Sequence, residues 1–572
     1  LLGAGVFIFF GVYYPYHLHY QEQFQMFLFT SGYFVERASH PGGVADYLGN
    51  FLTQFYYYSW AGAAVLAGVL WGMQRLVAFI AGRMGECSLW YPLTLLPSLC
   101  FFILLCDENY LLSGVLSACM VLGAVAGYTC IFNPVVRRIS LWAGIPVLYM
   151  LAGGCAWLFI PLALMVEFWR FGTKHSSLWL PAGGAILVAG VTIWASRWLF
   201  PYPMDRLLWG IGSYRFPLFF PKAQVVAWIA LVLVPPLVAR LPGKITRGRY
   251  VMALTGQFLL MLLAMNLLGK RSIAMNKEAV MAYDCHVRMQ DWDGIIALAG
   301  KKLPDTPMAV SCLNLALGMK GQLADRMFHY RQRGKEGLFM SFVNDFTIPL
   351  VAAEPYYYLG MVNTAQQLVF EAMEAIPDYQ KSVRCFKRLA ETNLINGRYE
   401  VAGKYLRILQ HTLCYKDWAT EMLACLDDEA RIDAHPEYGR LRKLTPQTDL
   451  FFNPAEPEMT LSLLLQANPE NRMAYEYLMG ITLLKKDMGR FVHYYPLGEK
   501  LGYRSIPKSY QEALLFGWSM QKHTPGEEIP WKINRETGER LREYARIYTS
   551  TRSEEALAPR FGDTYWFYVH FR

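Results

Sequence analysis

The sequence predicts an all-α protein, a polytopic membrane domain followed by a solenoid of paired helices. Three observations carry this reading. The 572 residues are 54% hydrophobic and 17% charged, with a positive mean hydropathy. That is too apolar for a soluble enzyme and too charged for a bare membrane bundle. The apolar excess lies in the first half, in runs that approach the roughly 20 residues a bilayer crossing needs. From Met275 onward the pattern changes to amphipathic stretches in pairs, joined by turns. The expected divisions are a transmembrane domain (1–270), a helical repeat domain (271–523) and a capping or docking tail (524–572). The tail ends in the aromatic cluster Tyr565, Trp566, Phe567 and Tyr568.

The elements follow in order. Gly3–Tyr13 is apolar but short for a crossing, and the chain starts inside it without Met, so a preceding segment is expected. Tyr14–Tyr58 is aromatic-rich and carries His17, His19, Glu22, Glu36, His40 and Asp46. His40-Pro41-Gly42-Gly43 divides it into two amphipathic helices. In Gln21–Phe34, Phe24, Phe27, Leu28 and Tyr33 form the apolar face, with Gln21, Glu22, Gln23 and Gln25 polar. Val44–Phe55 presents Leu48, Phe51, Leu52 and Phe55 in the same way. Such a segment is expected to lie on the bilayer as an interfacial loop.

Further crossings are expected at Trp60–Ile80, Leu93–Cys106, Leu111–Phe132, Ile145–Val166, Leu178–Leu199, Val225–Val238 and Val251–Leu268. That makes about eight transmembrane helices, helical because lipid offers no other backbone partners. Arg75, Arg83, Arg137 and Arg138 place their loops inside, so the opening loop and Asp107-Glu108 fall outside. The basic turn Lys244–Arg249 then falls on the wrong side by parity. The Pro- and aromatic-rich connection Phe200–Lys222, as a re-entrant piece, is the expected source of the mismatch.

In the second half, Asp291-Trp292-Asp293 opens a helix after Tyr283–Met289, and Leu313–Leu323 continues the theme. Tyr357–Met361 leads into Phe370–Ile376, and Leu389-Ala390 leads through Asn396-Gly397-Arg398 into Ala402, Tyr405 and Leu406. Tyr475–Leu484 with Arg490–Tyr494 is a further pair. Small residues where helices cross and Gly-aromatic turns resemble tetratricopeptide repeats, best in LAETNLINGRYEVAGKYLRIL at Leu389–Leu409. Helix pairs of this kind bury a core only by stacking. The eleven cysteines show no CxxC spacing, which removes zinc ribbons and thioredoxin-like motifs. Six of them, Cys87 among them, lie in the membrane half. They read as small core residues. The net charge of +9 is dispersed, without a tract that tracks nucleic acid.

The segment from Tyr356 to Leu409, together with the opening loop, resembles an uncharacterised family of Bacteroidetes inner-membrane proteins over nearly the whole chain. That resemblance implies a bacterial inner membrane and no established activity. The membrane half also resembles C-type glycosyltransferases, which carry a long outer loop with an essential acid and a second acidic motif between the third and fourth spans. This resemblance implies Glu22 (or Glu36 or Asp46) as the first-loop acid, with Glu22 the general base, and Asp107 and Glu108 holding Mg or Mn or the phosphate of a polyprenyl-linked sugar. The chain departs from that pattern in having adjacent Asp-Glu in place of DxD, and in setting its first acid in Tyr-Gln-Glu-Gln.

Each constellation also has a plainer reading. Asp107-Glu108 at a membrane face suits divalent-metal or phosphate chemistry. An acidic turn that caps the next helix explains it better, since the motif lacks context. Glu22 is equally a base or a solvated glutamate. His17, His19 and His40 have no metal-ligand spacing and read as interfacial histidines. Arg206 and Arg215, among Trp209, Tyr214 and Phe216, could clamp a phosphate, with Asp46 as a further substrate contact. By parity both arginines face inward as membrane anchors. Tyr56-Tyr57-Tyr58 reads as an interfacial belt, and Tyr356-Tyr357-Tyr358 as solenoid core and groove. P-loop, GxGxxG, GxSxG and HExxH motifs are absent. No acids line up within spans as a proton relay would require.

Two functions follow. One is a glycosyltransferase using a lipid-linked donor at the outer face. The other is a scaffold whose repeats dock a protein partner while the first half sits among membrane lipids. A lipid-lined cavity joining Glu22 to Asp107-Glu108 would mark the first, and a partner-sized groove the second.

Overall fold

Long apolar helices in the first half and short capped helices in the second make up the computed structural model of the chain. It describes residues 2–572 except 86–88, 173, 211, 217–221, 242–246, 449, 451 and 522–527. Cys87, Lys244 and Thr524, the residues at which three expectations rest, lie outside the described residues. Among the described residues the fold is helical, and β pairing is confined to the bridges Tyr110–Tyr214 and Arg333–Lys335. The chain forms two units. The first is Leu1–Glu278 with Pro377–Val383 and Ile408–Asp417, and the second is the remainder.

In the first unit the helices are α1 (Leu2–Ile8), α2 (Pro15–Gln23), α3 (Ser31–Ala38), α4 (Gly43–Thr53), α5 (Ser59–Met84), α6 (Leu96–Leu105), α7 (Leu112–Tyr128), α8 (Pro134–Ala152), α9 (Phe159–Trp169), α10 (His175–Leu199), α11 (Met204–Trp209), α12 (Lys222–Arg240) and α13 (Arg247–Ser272). Helix α14 (Met275–Arg288) continues into the second unit. Among the described residues, five segments are long and apolar enough to cross a membrane: Ser59–Met84, Pro134–Trp169, Ser177–Leu199, Lys222–Arg240 and Tyr250–Leu267. The shorter apolar stretches Leu2–Tyr13, Tyr91–Leu105 and Leu112–Tyr128 coincide with the other expected crossings.

Pro134–Trp169 is not one rod. A straight helix of that length would reach about 54 Å. Yet Arg137 near its start donates to Glu167 near its end, Nε to Oε1 at 2.7 Å and Nη2 to Oε2 at 3.0 Å. The segment therefore folds back as a hairpin, turning at Gly153, whose φ of +61° ends α8. This corrects the expected single crossing at Ile145–Val166. The apolar run is unbroken through the turn, so hydropathy alone does not reveal it. Asn133 starts the hairpin, its side chain accepting from the Val135 and Val136 amides, with Pro134 at the first helical position.

The opening segment also differs from expectation. Gln21–Phe34 is not one helix: α2 stops at Gln23 and α3 begins at Ser31. Between them the chain runs without helical bonding, and the Met26 and Phe29 amides donate to the carbonyls of Lys381 and His411. The polar face expected in solvent is buried instead: Gln21, Glu22, Gln23 and Gln25 are each at most 4% exposed. Phe29, Phe34 and Val35 are exposed.

The second unit is built of short helices in pairs. Asp291 caps Trp292–Lys301, its side chain accepting from the Gly294 amide at 2.9 Å. Ile348–Leu359 and Val362–Ala375 pack together through a turn at Gly360, with φ +90°. Val383–Ile395 and Tyr399–Leu409 are joined at Gly397, with φ +70°. Left-handed glycines at such turns end one helix without the strain a Cβ would bring. The terminal aromatics pack on Lys508–Ser519. Trp566 Nε1 donates to the Glu512 carbonyl at 2.8 Å, and the Tyr565 amide to the Glu512 carboxylate at 2.8 Å.

Candidate functional site

Asp107, Glu108 and Arg215, with the helix that carries Glu22, lie at one end of the first unit, where α2, the turn after α6, the loop after α11 and the start of α14 meet. Helix α2 starts at Pro15 and is capped by Glu278. The Glu278 carboxylate accepts from the Tyr16 amide at 2.7 Å and the His17 amide at 2.9 Å. An acid at a helix N-terminus satisfies donors the helix itself leaves open. Burial pushes this carboxyl up to about 7, and the two amides pull it back.

On the next face of α2, His17 Nε2 lies 2.9 Å from the Leu105 carbonyl. Gln21 donates to the Tyr110 carbonyl at 3.0 Å. These contacts fasten α2 to the turn holding Asp107 and Glu108. Burial drives the His17 imidazole down to about 4, so it is neutral at physiological pH. Glu22 follows Gln21 on this helix and is buried.

Asp107 accepts from the Asn109 amide at 2.9 Å and from the Tyr214 hydroxyl at 3.3 Å. Burial raises its carboxyl above the usual range, and the Asn109 amide opposes that. Glu108 accepts from Lys277 at 2.5 Å. The loop after α11 pairs with this turn: the Arg215 amide donates to the Asn109 carbonyl at 2.8 Å and the Leu111 amide to the Ser213 carbonyl at 3.1 Å. The Arg215 side chain is buried, its guanidinium 5.4 Å from the Phe24 ring centre.

Arg215 thus lies beside Asp107-Glu108, not away from it as parity suggested. The same loop approaches Asp46. A Cβ on Gly212 would lie 3.5 Å from Asp46 Oδ1. Asp46 is buried in α4 and bonded to Arg37 at 3.4 Å, with His40 Nε2 at 3.9 Å.

Arg206 has a different setting. It grips Asp378 with both terminal nitrogens, at 2.8 and 2.7 Å, and stacks over Tyr202. A guanidinium held in a fork by a carboxylate is a clasp, and a phosphate would have to displace that carboxylate. Asp378, Lys277 and Glu278 were missed in the sequence. Asp378 sits in the Pro377-Asp378 turn, which reads only as a helix end, and Lys277-Glu278 opens a helix directly after an apolar run.

Among the described residues no group of three or more His, Cys, Asp or Glu is placed to hold an ion. Asp107 and Glu108 are engaged by Tyr214 and Lys277 instead. The cavity at this end, between Gly42, Ser113, Gly153, Gly212 and Gln224, measures about 20 Å³, room for a single water. In the second unit a groove of about 440 Å³ runs between the helices Ile348–Leu359 and Val362–Ala375, the loop at 335–342, and Leu450, Phe452 and Pro454. Phe339, Tyr356 and Phe452 form its aromatic floor, with rings 4.8–5.0 Å apart. Asn363, Thr364, Gln367 and Glu371 lie along one wall.

No curated protein and no solved structure matches the chain. A family model matches residues 1–572 in full, and the chain belongs to that family, a family of unknown function designated DUF6057.

Proposed function

We propose that this is a multi-pass inner-membrane protein of bacteria whose repeat-like second half binds an extended segment of a partner protein at the outer face. The observation that carries it is the groove. Its volume is in the range of ligand sites, and its floor is aromatic. Thr364, with the groups of Gln367 left over from its bond to Glu371, can bond the N–H and C=O groups of an extended backbone, while the floor takes an apolar side chain. Stacked helix pairs suit such surfaces.

The sidedness rests on the hairpin. It adds a crossing to those expected, so Arg240 at the end of α12 falls on the same side as Arg83, Arg137 and Arg170. Contacts agree: Arg170 donates to the Arg83 carbonyl at 3.0 Å, and Arg240 stacks on Trp169. With that end inside, the opening loop and the start of α14 are outside, and the chain continues from there.

A membrane-impermeant, thiol-reactive photocrosslinker tests both parts in intact cells. Cysteines placed at Glu36 and Gln367 should label from outside, and illumination should join position 367, but not position 36, to one discrete protein. Absence of labelling would reverse the sidedness. Labelling without a discrete product at 367 would end the groove reading.

A second reading, a C-type transfer of sugar from a polyprenyl phosphate, is favoured by one observation. Asp107, Glu108, Arg215 and Lys277 share one end of the bundle with the α2 helix that carries Glu22. In it Glu22→Gln would abolish transfer and make a lipid-linked sugar accumulate. An unchanged lipid-linked pool in that variant would remove this reading.

A further inference from the structure

We infer that the crevice between α5 and α7 is a binding site for one anionic phospholipid, with Arg75 as its head-group contact. The crevice is open and has a volume of about 580 Å³. Its walls are Val69, Leu76, Phe79, Leu116 and Cys119, and Gly72 lies between them. A Cβ on Gly72 would meet nothing within 4 Å, so the crevice is open over this turn of α5. An apolar crevice on a membrane helix holds lipid of any kind. Arg75 makes this one selective.

Arg75 is a cation on the exposed face of a membrane-crossing helix, eight positions before Arg83 and thus about 12 Å along the axis from it. A charge at that depth is costly unless it reaches the interface or finds a counter-charge. Its guanidinium donates to the Tyr91 hydroxyl at 3.1 Å, and among the described residues no carboxylate is ion-paired with it. Tyr91 is itself part-exposed, at the start of the next apolar stretch, Tyr91–Leu105. Tyrosine at such a position marks the head-group level. Arg75 thus presents one positive charge at the mouth of an apolar crevice, steadied by Tyr91, whose hydroxyl donates in turn to Gln74 at 3.4 Å. A phosphodiester on two acyl chains complements both parts, the phosphate by charge and the chains by shape. The leaflet is the one at the end bearing Arg83, Arg137 and Arg170.

The test uses the full chain in detergent micelles, read by native mass spectrometry. The probes are phosphatidylglycerol and phosphatidylcholine with identical acyl chains, and orthophosphate alone. Phosphatidylglycerol should be retained about fivefold better than phosphatidylcholine, the factor one surface cation contributes. Arg75→Gln should erase the preference with unchanged circular dichroism. Gly72→Leu fills the crevice with Arg75 intact and should lower retention of both lipids. Equal retention of the two lipids by the unaltered chain would overturn the proposal, as would a preference that survives Arg75→Gln. Displacement of phosphatidylglycerol by equimolar orthophosphate would show a free-anion site instead and would equally overturn it. Full retention of both lipids by Gly72→Leu would show that the crevice is not the site.

Discussion

Replacing Gly154 by alanine should destabilise the membrane unit by about 3 kcal/mol, the upper end of what overpacking a filled site costs. The new Cβ would lie 2.6 Å from the Trp209 carbonyl oxygen and 2.7 Å from the Gly210 nitrogen. Both are backbone atoms, so no rotamer change relieves the clash. The preceding Gly153 has φ +61° and touches Gly42, with a virtual Cβ 3.3 Å from the Gly42 Cα. Three chain segments therefore meet backbone to backbone: the hairpin turn, the start of α4 and the end of α11. The Gly42 amide reaches the carbonyls of Tyr149 and Met150, at 3.1 and 3.0 Å. Tyr149 in turn donates to the Leu207 carbonyl at 2.9 Å, and Trp157 to the Leu208 carbonyl at 2.7 Å. Opening this junction would release α11 and the loop after it, which carry Arg206 and Arg215. Thermal scans of the detergent-solubilised chain should show Gly154→Ala melting well below the parent. Gly68→Ala and Gly123→Ala, where a Cβ meets nothing within 4 Å, should stay near it. Equal midpoints for all three variants would show that the junction is loosely packed.

The helical class and the helix–turn–helix around Leu389–Leu409 were legible in the sequence, because those features rest on local periodicity and on a turn glycine. Glu22 (or Glu36 or Asp46) and Asp107-Glu108 were drawn together only by a resemblance, while loop parity set Arg215 on the opposite side, and its backbone is bonded to Asn109 beside Asp107-Glu108. The sequence reading did not find the hairpin, because a Gly-Gly pair inside an apolar run has the same hydropathy as a kink in a single span. It read Gln21–Phe34 as a helix because aromatics at helical spacing also occur in extended chain packed on distant segments. The partner of Arg206 lies 172 residues away, and nothing local announces such a pair. What escaped was therefore long-range: polar residues expected in solvent were buried by segments far along the chain.

The second large effect lies in the second unit. Glu354→Ala should cost about 3–5 kcal/mol, the range for removing one member of a buried ion network. Glu354 is 2% exposed and joins two arginines. Arg384 donates to it at 3.0 Å and to Asp284 at 2.7 Å. Arg388 donates to it at 2.5 Å and to Glu391 at 2.8 Å. Both guanidiniums would stay in the core with one carboxylate fewer, and the loss would fall on desolvated charge. Glu429→Ala is the control. It also removes a partner of an arginine, Arg442, but the carboxylate is largely exposed, so the cost should be below about 1 kcal/mol. Urea titration followed by circular dichroism should separate the two variants. Equal midpoints would mean that the network is not coupled to folding. The comparison also bears on the groove. Arg388 stacks on Tyr357 at 3.7 Å, and Tyr357 belongs to the helix that supplies Ala352 and Tyr356 to the groove. If that helix is held in place by the network, Glu354→Ala should also lower photocapture at position 367 under conditions where the unit is still folded, and Glu429→Ala should leave it unchanged. Capture that persists in Glu354→Ala would place the groove's rigidity in its aromatic floor instead, where Phe339, Tyr356 and Phe452 already hold one another.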